Sequence, residues 1–180
     1  MVVVSIYAGF IGETAMIVRY LKWPLVFIIC FILQTSFVPS LAVFGVKPDL
    51  LMIALFLFAI RYGIAPGIFV GFFLGLTQDL YTPALLGQDA LAKTIIGACS
   101  GMVNEKVMRT DPIGKTLILF ILFIIHDSLF FIVLIARDQS SISALVPFLL
   151  MKTLPRALYS VLIAAMFYVW KFPSKPYSRK

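Results

Sequence analysis

The chain has 180 residues, of which 62% are hydrophobic and 13% charged, and its mean hydropathy is +1.05. So few charges cannot cover the surface of a water-soluble domain of this size, which excludes a soluble enzyme. The net charge of +7 does not point to nucleic acid, because the basic residues lie between and beyond apolar runs, where membrane topology puts them.

At about 20 apolar residues per spanning helix, the composition predicts one all-α, polytopic membrane domain. Met1 to Gly12 is apolar but lacks a basic n-region, and Arg19 and Lys22 follow it. Residues 1–22 therefore read as a cytoplasmic or interfacial leader, not a cleaved signal. The first span runs from Trp23 to about Phe44, with Gln34, Thr35 and Ser36 predicted on an inward face. Lys47-Pro48-Asp49 forms a turn into a short helix from Asp49 to Ile60, apolar all round, whose ends either thin the bilayer or are enclosed by neighbours. Arg61 to Ala65 is expected to be a tight hairpin, with Pro66 opening the third helix.

That third helix carries Gly67, Gly71 and Gly75, spaced by four and therefore on one face. Glycine weakens a helix unless a neighbour uses the space, and in lipid the neighbour is usually another helix. The helix then meets Thr77, Gln78 and Asp79. The fourth helix starts near Gly87 and ends near Val103. It carries Asp89 and Lys93, four apart and able to pair, and Gly97 and Gly101, which make it the predicted partner of the glycine helix. The fifth helix runs from about Gly114 to Ala136, with His126 and Asp127 at its centre. Ala144 to Trp170 is broken by Pro147 and Pro155, which predicts a short outer segment and then a span from about Pro155. Residues 171–180 form a basic tail, suited to anionic lipid or a cytoplasmic protein partner.

Six spans over residues 23–170 put ten loop and tail Lys and Arg residues on the side of the termini and two, Lys47 and Arg137, on the other. That split predicts six spans with both termini cytoplasmic.

Two readings of Asp79 stand: an anchor for a partner or for the fourth helix, or a helix-end carboxylate capping nearby amides. His126-Asp127 reads as a proton path or as a buried polar pair, one member bonding Gln34 or Lys93 across the bundle. Adjacent helix positions do not face each other, so the two are not a His–Asp catalytic pair. Cys30 and Cys99 sit in apolar runs as small hydrophobes. The sequence carries no nucleophile motif, metal spacing or phosphate loop, so no enzyme, cofactor or metal is predicted.

Lys-Pro-Asp-Leu-Leu at 47–51, Arg-Tyr-Gly at 61–63, Gly71-Phe-Phe-Leu-Gly75-Leu-x-x-Asp79, Leu86-Gly87 with Ala90-Leu91, and Leu154-Pro155-x-Ala157-Leu158-Tyr159 occur in this order. Together they resemble the rod shape-determining protein MreD family. The resemblance implies a non-enzymatic component of the bacterial elongation machinery in the cytoplasmic membrane. It implies MreC as direct partner and, through MreC, RodA, a class B penicillin-binding protein and MreB. It also implies a six-transmembrane-helix bundle similar to the substrate-binding subunits of energy-coupling-factor transporters. Gly67, Gly71, Gly75, Asp79, Gly87, Asp89, Lys93, His126 and Asp127 are the candidate partner-binding or structural residues. The alternative is a small-molecule-binding transporter subunit, with a polar pocket lined by Gln34, Asp89, Lys93, His126 and Asp127. A proton-coupled carrier is a third class.

Overall fold

A computed structural model describes residues 22–42, 46–82, 86–103, 112–138 and 145–171, and among them there is helix and no strand. The leader up to residue 21, the loop with Arg137 to Ser143 beyond residue 138, the polar loop 104–111 and the tail from residue 172 lie outside the described residues. The described residues form six helices. They are α1 (Lys22–Ser40), α2 (Leu50–Tyr62), α3 (Ile64–Tyr81), α4 (Gln88–Met102), α5 (Pro112–Asp138) and α6 (residues 145–171). Four stretches are long and apolar enough to cross a membrane: Lys22–Ser40, Ile64–Tyr81, Ile113–Ala136 and Leu145–Met166. The other two helices, α2 and α4, have 13 and 15 residues and fall short of that length.

α2 is the buried axis. Leu51 to Phe56, Ala59 and Ile60 are all buried, so neighbouring helices enclose this short element. Met52, Phe56 and Ile60 pack with Ile96 of α4, Leu119, Leu122 and Phe123 of α5 and Ala157 of α6 into the main core. α1 lies against α2 through an aromatic cluster of Trp23, Phe27, Phe58 and Tyr62, with Trp23 Nε1 donating to the Tyr62 hydroxyl at 3.0 Å. Much of the rest of α1 is exposed, including Leu25, Ile28, Ile29, Ile32 and Phe37.

The joint between α2 and α3 is tighter than the predicted hairpin. Gly63 alone connects them, with φ of +93° and ψ of −170°, a backbone geometry open almost only to glycine. α3 therefore begins at Ile64, and Pro66 sits inside its first turn, where a missing N–H removes no helix bond.

α6 also departs from expectation. Its helical path is continuous from Leu145, with a π-helical stretch at Leu149–Thr153 leading into Leu154–Lys171. Pro155 cannot donate to a carbonyl four residues back, and the wider π turn before it absorbs that loss without a break. α1 repeats the device, with a π stretch at Leu33–Phe37 before Pro39.

α3 and α4 form the most extensive helix pair, antiparallel and in contact through backbone. Gly67 faces Gly97, Gly71 faces the Lys93 carbonyl, Gly75 faces Ala90, and Gly101 faces Ile64. A Cβ at any of these five glycines would come under 3.0 Å from a backbone atom of the facing helix. The seam is thus internal to the bundle, as the spacing of small residues predicts. Gly71→Leu is expected to separate α3 from α4 and to cost at least the 1–3 kcal/mol or so of ordinary overpacking. Phe72→Leu, on the exposed neighbouring position, should cost far less. Thermal unfolding in detergent checks this, and equal melting temperatures for the two variants would refute the seam.

Candidate functional site

The polar residues collect at the end of the bundle where α2 starts and α3 finishes. Asp49 starts α2, its carboxylate accepting from the Met52 N–H at 2.9 Å. The Asp49 N–H donates to Ser160 Oγ of α6 at 3.1 Å. Gln34 of α1 holds the same turn, accepting from the Leu50 N–H at 2.8 Å and donating to the Pro48 carbonyl at 3.0 Å. Of the three polar residues placed on an inward face of α1, Gln34 alone reaches in. Thr35 returns its hydroxyl to the Phe31 and Ile32 carbonyls, and Ser36 is exposed.

Lys93 of α4 is 0% exposed and lies 3.2 Å from Asp89 and 3.6 Å from Asp49. On the far side of Asp89, His126 Nε2 stands 3.6 Å from the same carboxylate oxygen, and the ring's Nδ1 is 3.0 Å from Asp127. Asp127 in turn meets Arg156 of α6 at 3.3 Å. Asp49, Lys93, Asp89, His126, Asp127 and Arg156 make one continuous polar row across α2, α4, α5 and α6. A buried charge is tolerated only when paired, and each member of the row supplies a partner to the next.

Asp79 performs a separate task. It is 3% exposed, and its carboxylate accepts from the Gly87 N–H at 3.0 Å, the Asp89 N–H at 2.9 Å and the Ala90 N–H at 3.0 Å. α4 has no side-chain cap of its own, because its N-cap is Gly87 at φ of +98°. The last turn of α3 therefore caps the first turn of α4 from outside, where a helix N-terminus favours an anion. Gln88 adds a tie from α4 to α5, donating to the Phe130 carbonyl at 2.7 Å.

Beside this row lies a partly open cavity of about 340 Å³. Asp49, Asp89, His126 and Asp127 line its inner wall, and Gln78, Thr82, Phe130 and Phe148 its sides. Lys47, Lys152 and Arg156 also line it, with both lysines exposed.

The structure brings Asp89, Lys93, His126 and Asp127 together and puts Asp79 and Gly87 one turn away, while Gly67, Gly71 and Gly75 form the seam behind them. The Asp89–Lys93 pair is as the spacing predicts. Two expectations need correction. His126 and Asp127 do contact each other: their Cα–Cβ bonds diverge by about 100°, but a ring and a carboxylate are long enough to close that gap. Their cross-bundle partners are Asp89 and Arg156, not Gln34 or Lys93. Asp49, Ser160 and Arg156 are members that sequence reasoning missed. Asp49 reads locally as a helix-start residue, and only the third dimension reveals its lysine.

A family model described as rod shape-determining protein MreD matches residues 14–173. The match covers most of the chain, and the protein belongs to the MreD family, whose description makes it a shape-determining membrane protein. Comparison with curated proteins and with solved structures returns no match.

Lys93→Met is expected to destabilise the bundle by about 3–5 kcal/mol, since it leaves two buried carboxylates facing each other. Adding Asp89→Asn should recover part of that loss, because neighbours in one network are not additive. Unfolding of the single and double variants in detergent measures the coupling. Strict additivity would show that Lys93 and Asp89 do not act as a unit.

Proposed function

We propose that the chain is a non-enzymatic scaffold of the bacterial elongation machinery, spanning the cytoplasmic membrane six times with both termini cytoplasmic. Its direct partner is MreC, whose membrane helix and adjoining periplasmic segment it holds in the state that activates lateral peptidoglycan synthesis. RodA, a class B penicillin-binding protein and MreB are reached through MreC. Family membership is the observation that carries this reading. The chemistry of the bundle is in keeping with it. The glycines join α3 to α4, Asp79 caps α4, and Lys93 and His126 bridge carboxylates on different helices. These are the uses of polar groups that keep a membrane bundle in one arrangement for a partner to recognise.

In this topology the polar row and the cavity lie toward the periplasmic end, with Lys47, and the Trp23–Tyr62 cluster toward the cytoplasmic end. Aromatic side chains with a polar tip suit that interface, and the clustering of Lys and Arg on the side of the termini fits the orientation. A six-span bundle similar to the substrate-binding subunits of energy-coupling-factor transporters is part of this reading. One observation favours the alternative of a small-molecule-binding subunit: Asp89, His126 and Asp127, three of the five residues predicted for its pocket, line the cavity.

Co-expression with MreC from the same bacterium tests the scaffold. The expected outcome is a complex that survives detergent purification, weakened by Gly71→Leu and Asp79→Ala, which disturb α3 and α4. A chain that purifies alone under those conditions would overturn the reading. Fluorescent fusions that mature only in the cytoplasm should light at both termini.

A further inference from the structure

We propose that the cavity beside the polar row binds a phosphate ester whose ester arm carries a hydroxyl or ammonium donor. The mouth supplies the phosphate contacts. Lys47 and Lys152 line it, both exposed, and among the described residues neither ammonium is paired with a carboxylate. Lys152 lies 5.7 Å over the Phe148 ring, which places its charge at the opening. Arg156 reaches the same opening, held by Asp127 and by the Lys47 carbonyl, with donors beyond those two bonds. Two lysines and a guanidinium around one opening suit a phosphate, the anion that takes several charge-assisted bonds at once. Of the three inner-wall carboxylates, Asp49 and Asp89 share Lys93 and Asp127 holds Arg156, so the surplus positive charge sits with Lys47 and Lys152 at the mouth.

The inner wall supplies the second half of the argument. His126 is 2% exposed, lines the cavity, and its Nε2 has no hydrogen-bond partner. Nδ1 is within hydrogen-bond reach of Asp127, at 3.0 Å. Nε2 faces the Asp89 carboxylate at 3.6 Å, so it stands as a donor toward that oxygen and not as an acceptor for a ligand. Gln78 Oε1, also buried in the cavity wall, is an acceptor without a partner. Buried polar atoms are rarely left unpaired, so this orphan acceptor on the cavity indicates a donor that comes from outside the chain. Cations at the mouth and the Gln78 acceptor within suit a phosphate with a hydroxyl or ammonium a few atoms away. Such a group exists both as a phospholipid headgroup and as a soluble phosphate ester, and the cavity volume suits either.

The test uses the full chain purified in a neutral, phosphate-free detergent, with thermal unfolding as readout. The probes are phosphatidylglycerol, phosphatidylethanolamine, phosphatidylcholine, diacylglycerol and soluble glycerol 3-phosphate, at matched ionic strength. A ligand at a hundredfold excess over its Kd should raise the melting temperature by about 5–10 °C. We expect that rise with phosphatidylglycerol or phosphatidylethanolamine, a smaller one with phosphatidylcholine, which lacks the donor, and none with diacylglycerol. A response to glycerol 3-phosphate without lipid assigns the site to a soluble ester, and a response to the lipids alone assigns it to a headgroup. Lys47→Gln with Lys152→Gln, both exposed and remote from the core, should abolish the rise and leave the ligand-free melting temperature unchanged. Gln78→Leu should erase the advantage over phosphatidylcholine. Equal responses in wild type and double-lysine variant, or no response to any phosphate probe, would overturn the proposal. Native mass spectrometry of the wild type provides a second measurement: a retained phosphate-bearing molecule supports the site, and its absence after purification from membranes counts against it.

Discussion

Everything at the polar end of the bundle depends on one fully buried ammonium. Lys93 has no water to solvate it, and a lone charge in a low-dielectric interior is unstable. It is tolerated because Asp89 lies one turn before it on α4 and Asp49 approaches from α2. Those two contacts fix more than an ion pair. Asp49 also starts α2 and is held by Ser160, so the position of Lys93 is tied to α2 and α6 together. Asp89 also faces His126, so the same lysine is tied to α5 through one intermediary. A hydrophobic residue of the same length would fill the space but would not select among helix arrangements. The ionic row specifies which ends of four helices meet, a use of buried charge that is better attested than any gain in stability.

The glycine seam and the Asp79 cap solve a related difficulty. α4 is short and carries Gln88, Asp89 and Lys93 in its first turns, so it is a poor membrane helix by itself. Close approach to α3 gives it extensive van der Waals contact, which replaces the hydrophobic effect as the source of association inside lipid. That approach also brings the final turn of α3 against the first amides of α4, so that Asp79 can accept from three of them. Seam and cap are therefore one device. The glycines set the distance at which the carboxylate reaches.

Much of this was legible in the sequence because it depends on local period. Glycine every fourth residue gives a face, Asp89 and Lys93 four apart give a pair, and α2, apolar on every side, must either sit in thinned lipid or be enclosed by neighbours, of which the structure shows the second. What escaped depends on neighbours distant in the chain. Asp49 is 44 positions from Lys93, and Arg156 is 29 positions from Asp127. No local pattern marks such contacts. The tight joint at Gly63 and the unbroken α6 escaped for another reason. Proline and glycine signal that regular geometry is interrupted, but a π turn or a single residue at positive φ can absorb the interruption without ending the helical run. The contact between His126 and Asp127 shows the limit of reasoning from Cβ directions when both side chains are long and polar.

The two ends of the bundle are built by opposite chemistry, and that contrast bears on how the fold can work. Around Trp23, Phe58 and Tyr62, stacked rings and one hydrogen bond join α1 to α2 through apolar area. At the opposite end, carboxylates, lysine, histidine and arginine join α2, α4, α5 and α6, and the packing opens into a cavity. Apolar packing tolerates small shifts at low cost, whereas a row of paired charges has one arrangement in which every member is satisfied. A molecule that touches the cavity side of that row acts on four helices at once, because moving any one charge unpairs its neighbour. The polar row supplies this all-or-none coupling at the end where Lys47, Lys152 and Arg156 face outward.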